Sequence, residues 1–363
     1  MIRRPFDSSP GLGRGLLLRI PPHGRAGRSH GLARGAPQSI QVVVTAAVIT
    51  VAAVLFTVLL LAAQSSPSVV AVLIPGAAYK PVLDGLREGL NAVGFREEVN
   101  IRFLVEEGGR ETESYAFAAA KLVTAKPDVV FAVTTPSAVA VKAATNIIPI
   151  VFVSVGAPVE AGLIAGFASS RNNLTGISSY AAPLSGKRLE LLREITPRSK
   201  KILVIVSANE TVGQASARDS ENAAGKMALQ IVRRNLARVD DVEKLLLEKW
   251  SALADAVLLL PGALTGRYVE RMIKKAGKER LPLVAYEDTL VKMGALASYG
   301  SKRRLTGLQA AKLVAKLLKG ARSADLPIET PDRFILSVNL VTAKAIAIKI
   351  PRSVLERADR LVE

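Results

Sequence analysis

The chain has 363 residues, and its 49 Lys and Arg residues outnumber its 31 Asp and Glu residues, so its net charge is +18 at pH 7. This length allows two or three domains with sizeable cores. The absence of cysteine excludes disulfides, thiolate metal sites, cysteine nucleophiles and a lipid-modified cysteine anchor. The only histidines, His23 and His30, lie in a segment rich in Gly, Pro and Arg. We therefore expect neither Ser-His-Asp chemistry nor a His-bound metal in a folded domain.

The positive charge raises the question of nucleic-acid binding. Residues 1–40 carry seven arginines and a single Asp, but Phe6 is their only aromatic residue, so they offer no stacking platform for bases. Further along the chain, Lys and Arg are interspersed with Glu and Asp in helical stretches. This pattern is typical of solvated helix faces, and we predict no nucleic-acid partner.

Residues 40–63 form an apolar run without a charged residue, long enough for a hydrocarbon core that needs ~20 helical residues. The arginines all precede this run, so the positive-inside bias places the N-terminus in the cytoplasm and the rest of the chain outside. Ala62 and Ala63 suit a signal peptidase, but the run exceeds the ~7–15 apolar residues usual in a signal. We predict an uncleaved single-pass anchor in the cell membrane, with a cleaved signal as the alternative.

The segments on either side of this run are polar. Residues 1–39 are predicted to form a disordered cytoplasmic arm, and residues 64–68 a short linker. Glycines 11, 13 and 15 resemble a phosphate-binding loop, but no strand precedes them, so this reading fails. The chain after the linker is expected in the periplasm or at the cell surface.

From residue 69 onward, short apolar runs alternate with amphipathic helical stretches. The predicted strands are 69–74, 99–105, 128–133, 148–154, 201–207, 227–232, 255–260, 281–286 and 295–300. Strands that are apolar on both faces are typical of parallel sheets covered by helices. Their number, with a break at 176–183, predicts an α/β protein of two doubly wound lobes joined by a hinge. The lobes would be residues 69–179 and 180–363, with helix 303–319 returning to the first.

Ligands of parallel sheets bind beyond the carboxyl ends of the strands, so the residues after each strand define a candidate site. Four of the six tyrosines lie there, where rings can sandwich a flat solute. Three hydroxyl residues begin one predicted helix, whose free N–H groups and dipole suit an anion. The candidate ligand-binding residues are Tyr79, Thr134, Thr135, Ser137, Ser154, Tyr180, Asn209, Tyr286 and Tyr299.

Each of these features has a purely structural alternative. Tyrosines pack well at strand ends, and ordinary helix capping accounts for one hydroxyl of the three. Glu287 and Asp288 could hold an ammonium group or simply be solvated at a helix start. The strand ends contain neither a nucleophile paired with a base nor carboxylates at metal-binding spacing. The sequence therefore predicts a receptor rather than an enzyme, and no cofactor.

Six phrases occur in order along the chain: ATNIIPIVFVSVG (144–156), NLTG (173–176), GKRLELL (186–192), ALASYG (295–300), ADLPIE (324–329) and NLVTAKA (339–345). From about residue 69 to the C-terminus, they resemble the tryptophan/tyrosine-type solute-binding proteins of ABC importers. The resemblance implies a type I periplasmic-binding-protein fold whose lobes, joined by three crossover strands, close on a small solute. That solute is often an aromatic amino acid. The implied partners are a membrane permease and its cytoplasmic ATPase.

The sequence also departs from this family. Gly156-Ala157-Pro158 stands where relatives have Gly-Asp-Pro, and Asn172-Asn173 replaces an asparagine–glycine turn. Many relatives use a lipidated cysteine or a cleaved signal instead of an apolar anchor. We therefore predict an extracytoplasmic solute-binding component of an ABC importer and leave its solute open. The alternatives are a membrane-anchored sensor of the same fold and an α/β enzyme.

Overall fold

The structure is a computed structural model that describes residue 43 and residues 47–54, 66–109 and 112–363. Contacts divide the chain into two units, Met1–Gln64 and Ser65–Glu363. In the first unit, residues 47–54 are helical. In the described parts of the chain, no helix is long and apolar enough to span a membrane. The predicted arm at 1–39 and most of the predicted anchor at 40–63 lie outside the described residues.

The second unit contains two sheets. Its strands are β1 (Ser68–Ile74), β2 (Ile101–Glu107), β3 (Val129–Val133), β4 (Ile150–Val155), β5 (Leu174–Ser178), β6 (Lys201–Ser207), β7 (Gln230–Leu236), β8 (Ala256–Leu259), β9 (Leu283–Ala285), β10 (Ala297–Ser301), β11 (Ile328–Glu329), β12 (Phe334–Asn339) and β13 (Arg360–Val362). The first sheet has the order β11-β5-β4-β3-β1-β2 and is entirely parallel. The second has the order β13-β12-β10-β9-β8-β6-β7, with only the β10–β12 pair antiparallel.

Helices connect the strands and lie against the sheets. They are α1 (Lys80–Ala92), α2 (Thr112–Thr124), α3 (Thr135–Ala144), α4 (Ala181–Ile195), α5 (Thr211–Lys226), α6 (Val239–Leu247), α7 (Trp250–Leu253), α8 (Ala263–Arg267), α9 (Val269–Lys278), α10 (Asp288–Lys292), α11 (Arg303–Leu318), α12 (Leu340–Ala345) and α13 (Arg352–Arg357). Two single 3₁₀ turns, Ala77–Tyr79 and Ser323–Asp325, complete the described elements. We call the first sheet with its helices the N-lobe and the second the C-lobe.

Both faces of each sheet are buried, which explains the almost wholly apolar strands. In β3, Phe131 packs on one face with residues of α1 and α11. Val130 and Ala132 pack on the opposite face with residues of α2 and α3. The second sheet likewise has one apolar cluster on each face. The predicted α/β fold with covered parallel sheets is confirmed.

The chain passes between the two sheets at three places. It leaves the first sheet after β5 to enter α4, returns from β10 to α11, and leaves again between β11 and β12. The strands β5 and β11 are neighbours in the first sheet, and β10 and β12 are neighbours in the second. All three connections therefore lie side by side at one edge of each lobe.

Helix α11 belongs to the N-lobe although it follows a strand of the C-lobe. It crosses α1 so closely that glycines are required at the contact. A Cβ added at Gly307 would lie 1.9 Å from the Val82 carbonyl oxygen, and one added at Gly85 would lie 2.0 Å from the Arg304 carbonyl oxygen. Close helix contact of this kind fixes where the chain re-enters the cleft at the start of α11.

Some strands differ from those predicted. Strand β5 was not expected from its sequence LTGIS, because Thr, Gly and Ser give a weak strand signal. Gly176 is required there, since an added Cβ would lie 2.1 Å from the Phe152 carbonyl oxygen of β4. Strand β7 begins at Gln230, three residues later than predicted, because Met227 still caps α5.

We expect Gly307→Ala to lower the free energy of unfolding by about 1–3 kcal/mol, because the added methyl group forces α11 away from α1. Gly225→Ala is the matched control: Gly225 lies inside α5 with no heavy atom within 4 Å of an added Cβ, so the change should stabilise by up to ~1 kcal/mol. Urea unfolding of both variants measures the difference. Equal stabilities would contradict the tight α1–α11 contact.

Candidate functional site

A cavity of about 100 Å³ lies between the two lobes at the carboxyl ends of the strands. Its lining comes from the ends of β4 and β10, from helix α4 and from the segments that follow β1, β5, β8, β9 and β10. The lining residues are Tyr79, Ser154, Ser179, Ala181, Arg188, Pro261, Tyr286, Glu287, Ser301 and Arg303. Because both lobes contribute, a solute bound here would contact both at once. We call this space the cleft cavity.

A cation links the two lobes inside this cavity. The Arg303 Nη2 donates a hydrogen bond of 2.7 Å to Glu287 Oε1, and the Arg303 Nη1 donates one of 2.5 Å to the Ala78 carbonyl oxygen. Its guanidinium carbon lies 4.1 Å from the centre of the Tyr79 ring. This distance is within the range of a cation–π contact. Arg303 therefore contacts an N-lobe loop, an N-lobe ring and a C-lobe carboxylate together.

Burial changes the titration of the two cavity tyrosines. It raises the pKa of Tyr79, against the lowering effect of nearby Arg303, and it raises the pKa of Tyr286 far above the ordinary value. Both phenols therefore stay protonated at neutral pH. Each can donate a hydrogen bond from its hydroxyl and offer its ring as an apolar surface.

Arg188 forms the floor of the cavity on the C-lobe side and is only 2% exposed. Its guanidinium donates to the carbonyl oxygens of Tyr299 at 2.8 Å, Ala181 at 3.2 Å and Tyr286 at 3.4 Å. Within the described chain no carboxylate forms an ion pair with it, and burial lowers the pKa of Arg188 to about 10. The side chain thus ties α4 to the ends of β9 and β10 and leaves a buried positive charge near the site.

The N-lobe contributes hydroxyls that have no partner. Thr134 precedes α3, and Ser137 lies in its first turn and is fully buried. The Oγ1 of Thr134 and the Oγ of Ser137 are buried without a hydrogen bond among the described residues. The Thr134 N–H donates to the Val153 carbonyl oxygen, so α3 begins beside the cavity residue Ser154. Unpartnered buried hydroxyls at a helix N-terminus suit an anionic group.

Backbone strain is concentrated at the same edge. Thr134 has φ 77° and ψ 166°, a region that is almost restricted to glycine. Ser154, near the end of β4, has a φ of 58°, and Tyr180, which follows the neighbouring strand β5, has a φ of 53°. Such conformations persist only where surrounding structure holds them, and they are frequent at ligand clamps.

Glu210 is a further acidic group on the C-lobe side of the cleft. It follows β6, and its Oε1 accepts a hydrogen bond of 2.6 Å from the Ala263 N–H. Burial raises the pKa of its carboxyl group, against the lowering effect of that hydrogen bond. The sequence could have indicated Glu210 as a site residue, because it directly follows the candidate Asn209 in the same loop after a strand.

The structure brings together only part of the predicted site. Tyr79, Ser154 and Tyr286 line the cleft cavity, and Thr134, Thr135 and Ser137 form the adjoining start of α3. Tyr180 is 39% exposed and lies between the cavity residues Ser179 and Ala181.

Two predicted residues point elsewhere. The Asn209 side chain donates to the Ala237 carbonyl oxygen at 3.2 Å and does not line the cavity. The ring of Tyr299 packs 5.9 Å from that of Phe334, in a separate C-lobe cavity of about 390 Å³. Tyr299 occupies the strand position that faces α4, because side chains alternate along β10. Asp288 likewise faces Arg360, at 3.7 Å, rather than the cavity.

Sequence reasoning also missed two residues. Arg188 and Arg303 were hidden among the many charged residues of helical stretches, although both line the cavity. The position of Arg303 could have indicated that it lies at the site, because it comes only two residues after the end of β10. Charge counts alone could not distinguish them from solvated arginines.

Two lobes of parallel sheet around a central cleft define the class of type I periplasmic binding proteins, and solved structures share this fold. A conserved domain protein from Vibrio cholerae O1 biovar El Tor has a TM-score of 0.75 at 28% identity, covering 82% of this chain and 100% of that chain. The ABC domain from Streptococcus pneumoniae, solved in complex with L-Trp, has a TM-score of 0.75 at 22% identity over the same shares. At 22% identity, the similarity to this second structure shows a shared fold.

The chain belongs to the family of ABC transporter substrate binding proteins, whose model matches residues 68–362. A relative, the tyrosine-binding protein of Clostridioides difficile (strain R20291), is 29% identical over 273 residues, which cover 73% of this chain and 77% of that protein. The resemblance read from the sequence is confirmed, as is the predicted role of a substrate-binding protein of an ABC transporter.

We expect Thr134→Gly to raise the free energy of unfolding by about 1 kcal/mol or more, because glycine adopts this backbone conformation without strain. Thr135→Gly is the control: Thr135 is the first residue of α3, so glycine there should destabilise by up to ~1 kcal/mol. Urea denaturation compares them. A loss of stability in Thr134→Gly equal to that of the control would contradict the strain.

Proposed function

We propose that this substrate-binding protein binds an aromatic amino acid, tyrosine or a close analogue, in the cleft cavity and delivers it to a membrane permease. One observation carries the proposal: two tyrosine rings, a carboxylate and two guanidinium groups meet in one cavity beside unpartnered hydroxyls at a helix start. These groups match the ring, the ammonium group and the carboxylate of an amino acid. The proposal assigns binding and no reaction.

The carboxylate of the solute is assigned to the start of α3. The free N–H groups of the first turn and the helix dipole attract an anion. The Thr134 and Ser137 hydroxyls are buried and would gain their missing partners from it. Ser154 lines the cavity next to this helix start, so the carboxylate would lie at the N-lobe edge of the cleft.

The ammonium group is assigned to the acidic side of the cleft and the ring to the tyrosines. Glu287 lines the cavity and Glu210 lies on the same C-lobe edge, so an ammonium group would find carboxylates opposite α3. Tyr79 of the N-lobe and Tyr286 of the C-lobe can pack on an aromatic ring. The name of the tyrosine-binding relative agrees with this assignment.

Solute capture would close the cleft. A solute that contacts strand ends of both lobes favours the closed arrangement through its differential affinity. The three neighbouring connections between the sheets would act as the hinge. The permease, with its cytoplasmic ATPase, would recognise the closed form. The apolar run at 40–63 would hold the protein outside the cytoplasm near that permease and raise its effective concentration there.

We expect L-tyrosine, and more weakly L-tryptophan or L-phenylalanine, to stabilise the full chain against heating. At 100 times its dissociation constant a ligand adds ~2.7 kcal/mol to the free energy of unfolding, which is a readily measured shift. Tyramine lacks the carboxylate and N-acetyltyrosine lacks the ammonium group, so neither should stabilise at the same concentration. Equal shifts for tyramine and tyrosine would contradict the carboxylate subsite, and no shift with any amino acid would overturn the proposed solute class.

We expect the double substitution Thr134→Ala with Ser137→Ala to weaken the binding of L-tyrosine by roughly tenfold or more, because two hydrogen bonds to a charged group are lost. Isothermal titration calorimetry measures the affinity. Thr124→Ala is the control, since its Oγ1 donates to the Ala120 carbonyl oxygen at the exposed end of α2. An unchanged affinity in the double variant would remove both residues from the site.

A further inference from the structure

Arg188 is a buried cation in the lining of the cleft cavity, and it has no counter-ion among the described residues. Two arginines and one glutamate line the cavity, and Glu287 already pairs with Arg303 at 2.7 Å. Arg188, at 2% exposure, is held by neutral backbone carbonyl oxygens and one hydroxyl. A buried charge costs free energy unless an opposite charge compensates it. The lining therefore carries one positive charge that a bound anion would neutralise.

The guanidinium of Arg188 is fixed in one orientation. Its Nε donates to the Tyr299 carbonyl oxygen at 2.8 Å. Its Nη1 donates to the Ala181 carbonyl oxygen at 3.2 Å and to the Ser185 Oγ at 3.3 Å. Its Nη2 carries two N–H groups, and within the described chain its one contact is with the Tyr286 carbonyl oxygen at 3.4 Å. That distance exceeds the ~2.7–3.2 Å usual for such bonds, so Nη2 is left as a charged donor for a group in the cavity.

Two helices, one from each lobe, begin beside the end of β4. Thr134, directly before α3, donates its N–H to the Val153 carbonyl oxygen at 2.9 Å. Ser179, two residues before α4, donates its N–H to the Val155 carbonyl oxygen at 2.9 Å. Ser154 lies between these two acceptors and lines the cavity. Both helix dipoles therefore favour an anion next to the same cavity residue.

The groups at this end of the cavity are hydrogen-bond donors. The buried hydroxyls of Thr134 and Ser137 have no partner in the part of the chain that the structure describes. Helix α4 begins at the cavity residue Ala181, and the first N–H groups of a helix have no acceptor within it. Arg188, about two turns further along α4, adds a charged donor. An anion at Ser154 would therefore accept hydrogen bonds from both lobes.

We propose that Arg188 binds the solute carboxylate from the C-lobe while the start of α3 binds it from the N-lobe. This inference rests on the proposed function, which supplies the carboxylate. The anion neutralises the buried guanidinium, and charge-assisted hydrogen bonds of this kind are about twice as strong as neutral ones. Because the two partners belong to different lobes, the carboxylate favours the closed arrangement of the cleft through its differential affinity. Arg188 thus determines a preference for solutes that carry a carboxylate.

The test compares L-tyrosine with tyramine, which keeps the ring and the ammonium group but lacks the carboxylate. The parent chain should prefer L-tyrosine, and Arg188→Gln should reduce that preference by roughly tenfold or more, because a hydrogen bond between charged groups is lost. Arg188→Lys keeps the charge and should retain part of the preference. Isothermal titration calorimetry measures both affinities, that of tyramine by competition with L-tyrosine.

Arg193→Gln is the matched control. Arg193 lies in the last turn of the same helix, where its Nη1 donates to the Ser199 carbonyl oxygen at 2.7 Å, so the preference should stay that of the parent. Equal weakening of both ligands in Arg188→Gln would overturn the proposal, because it would mean that Arg188 only supports the fold of the C-lobe. An unchanged preference in Arg188→Gln would overturn it as well.

A second measurement decides the proposal if circular dichroism shows that the Arg188 variants do not fold. A crystal structure of the parent chain with L-tyrosine should have a carboxylate oxygen ~2.7–3.2 Å from an Arg188 nitrogen, and a bound carboxylate without this contact would overturn the proposal. If the parent chain binds no amino acid, the proposed function fails, and the role of Arg188 fails with it. If L-tyrosine binds and Arg188→Gln keeps the parent's preference, only the role of Arg188 fails.

Discussion

The contact between α11 and α1 determines which residue of the chain lies at the cleft where the two helices begin their contact. Because Gly307 and Gly85 allow the two helices to touch through their backbones, α11 stays on the N-lobe although its preceding strand lies in the C-lobe. The chain must then cross between the lobes within the single residue that separates β10 from α11. Arg303, the first residue of α11, is thereby held at the cleft. A helix-packing constraint of the core thus places a charged group in the binding site.

The two lobes supply different chemistry because their strand ends differ. The N-lobe edge carries strained backbone and unpartnered hydroxyls at Thr134 and Ser137. The C-lobe edge carries carboxylates at Glu210 and Glu287. The two N-lobe hydroxyls have no partner among the described residues, and a zwitterion placed between the edges would bond to them through its carboxylate and to the C-lobe carboxylates through its ammonium group. Strained backbone and unpartnered hydroxyls lower the stability of the fold, and such costs are common at sites that are arranged to bind a ligand.

The sequence was sufficient for the parts of the fold that depend on strong local patterns. Long apolar strands such as β1 and β6 were predicted, because burial on both faces leaves polar residues only at their ends. β5 was missed because its pairing depends on Gly176 approaching β4, which is a tertiary contact. In the site, Tyr286 directly follows β9, Tyr79 lies in the 3₁₀ turn after β1, and both reach the cavity. Tyr299 lies within β10, where side-chain alternation turns it toward α4.

A crystal structure of the full chain grown with L-tyrosine tests the central claim most directly. The account predicts a tyrosine between Tyr79 and Tyr286, with its carboxylate at the start of α3 and its ammonium group on Glu287. A tyrosine bound elsewhere, for example against Tyr299 and Phe334, would contradict it.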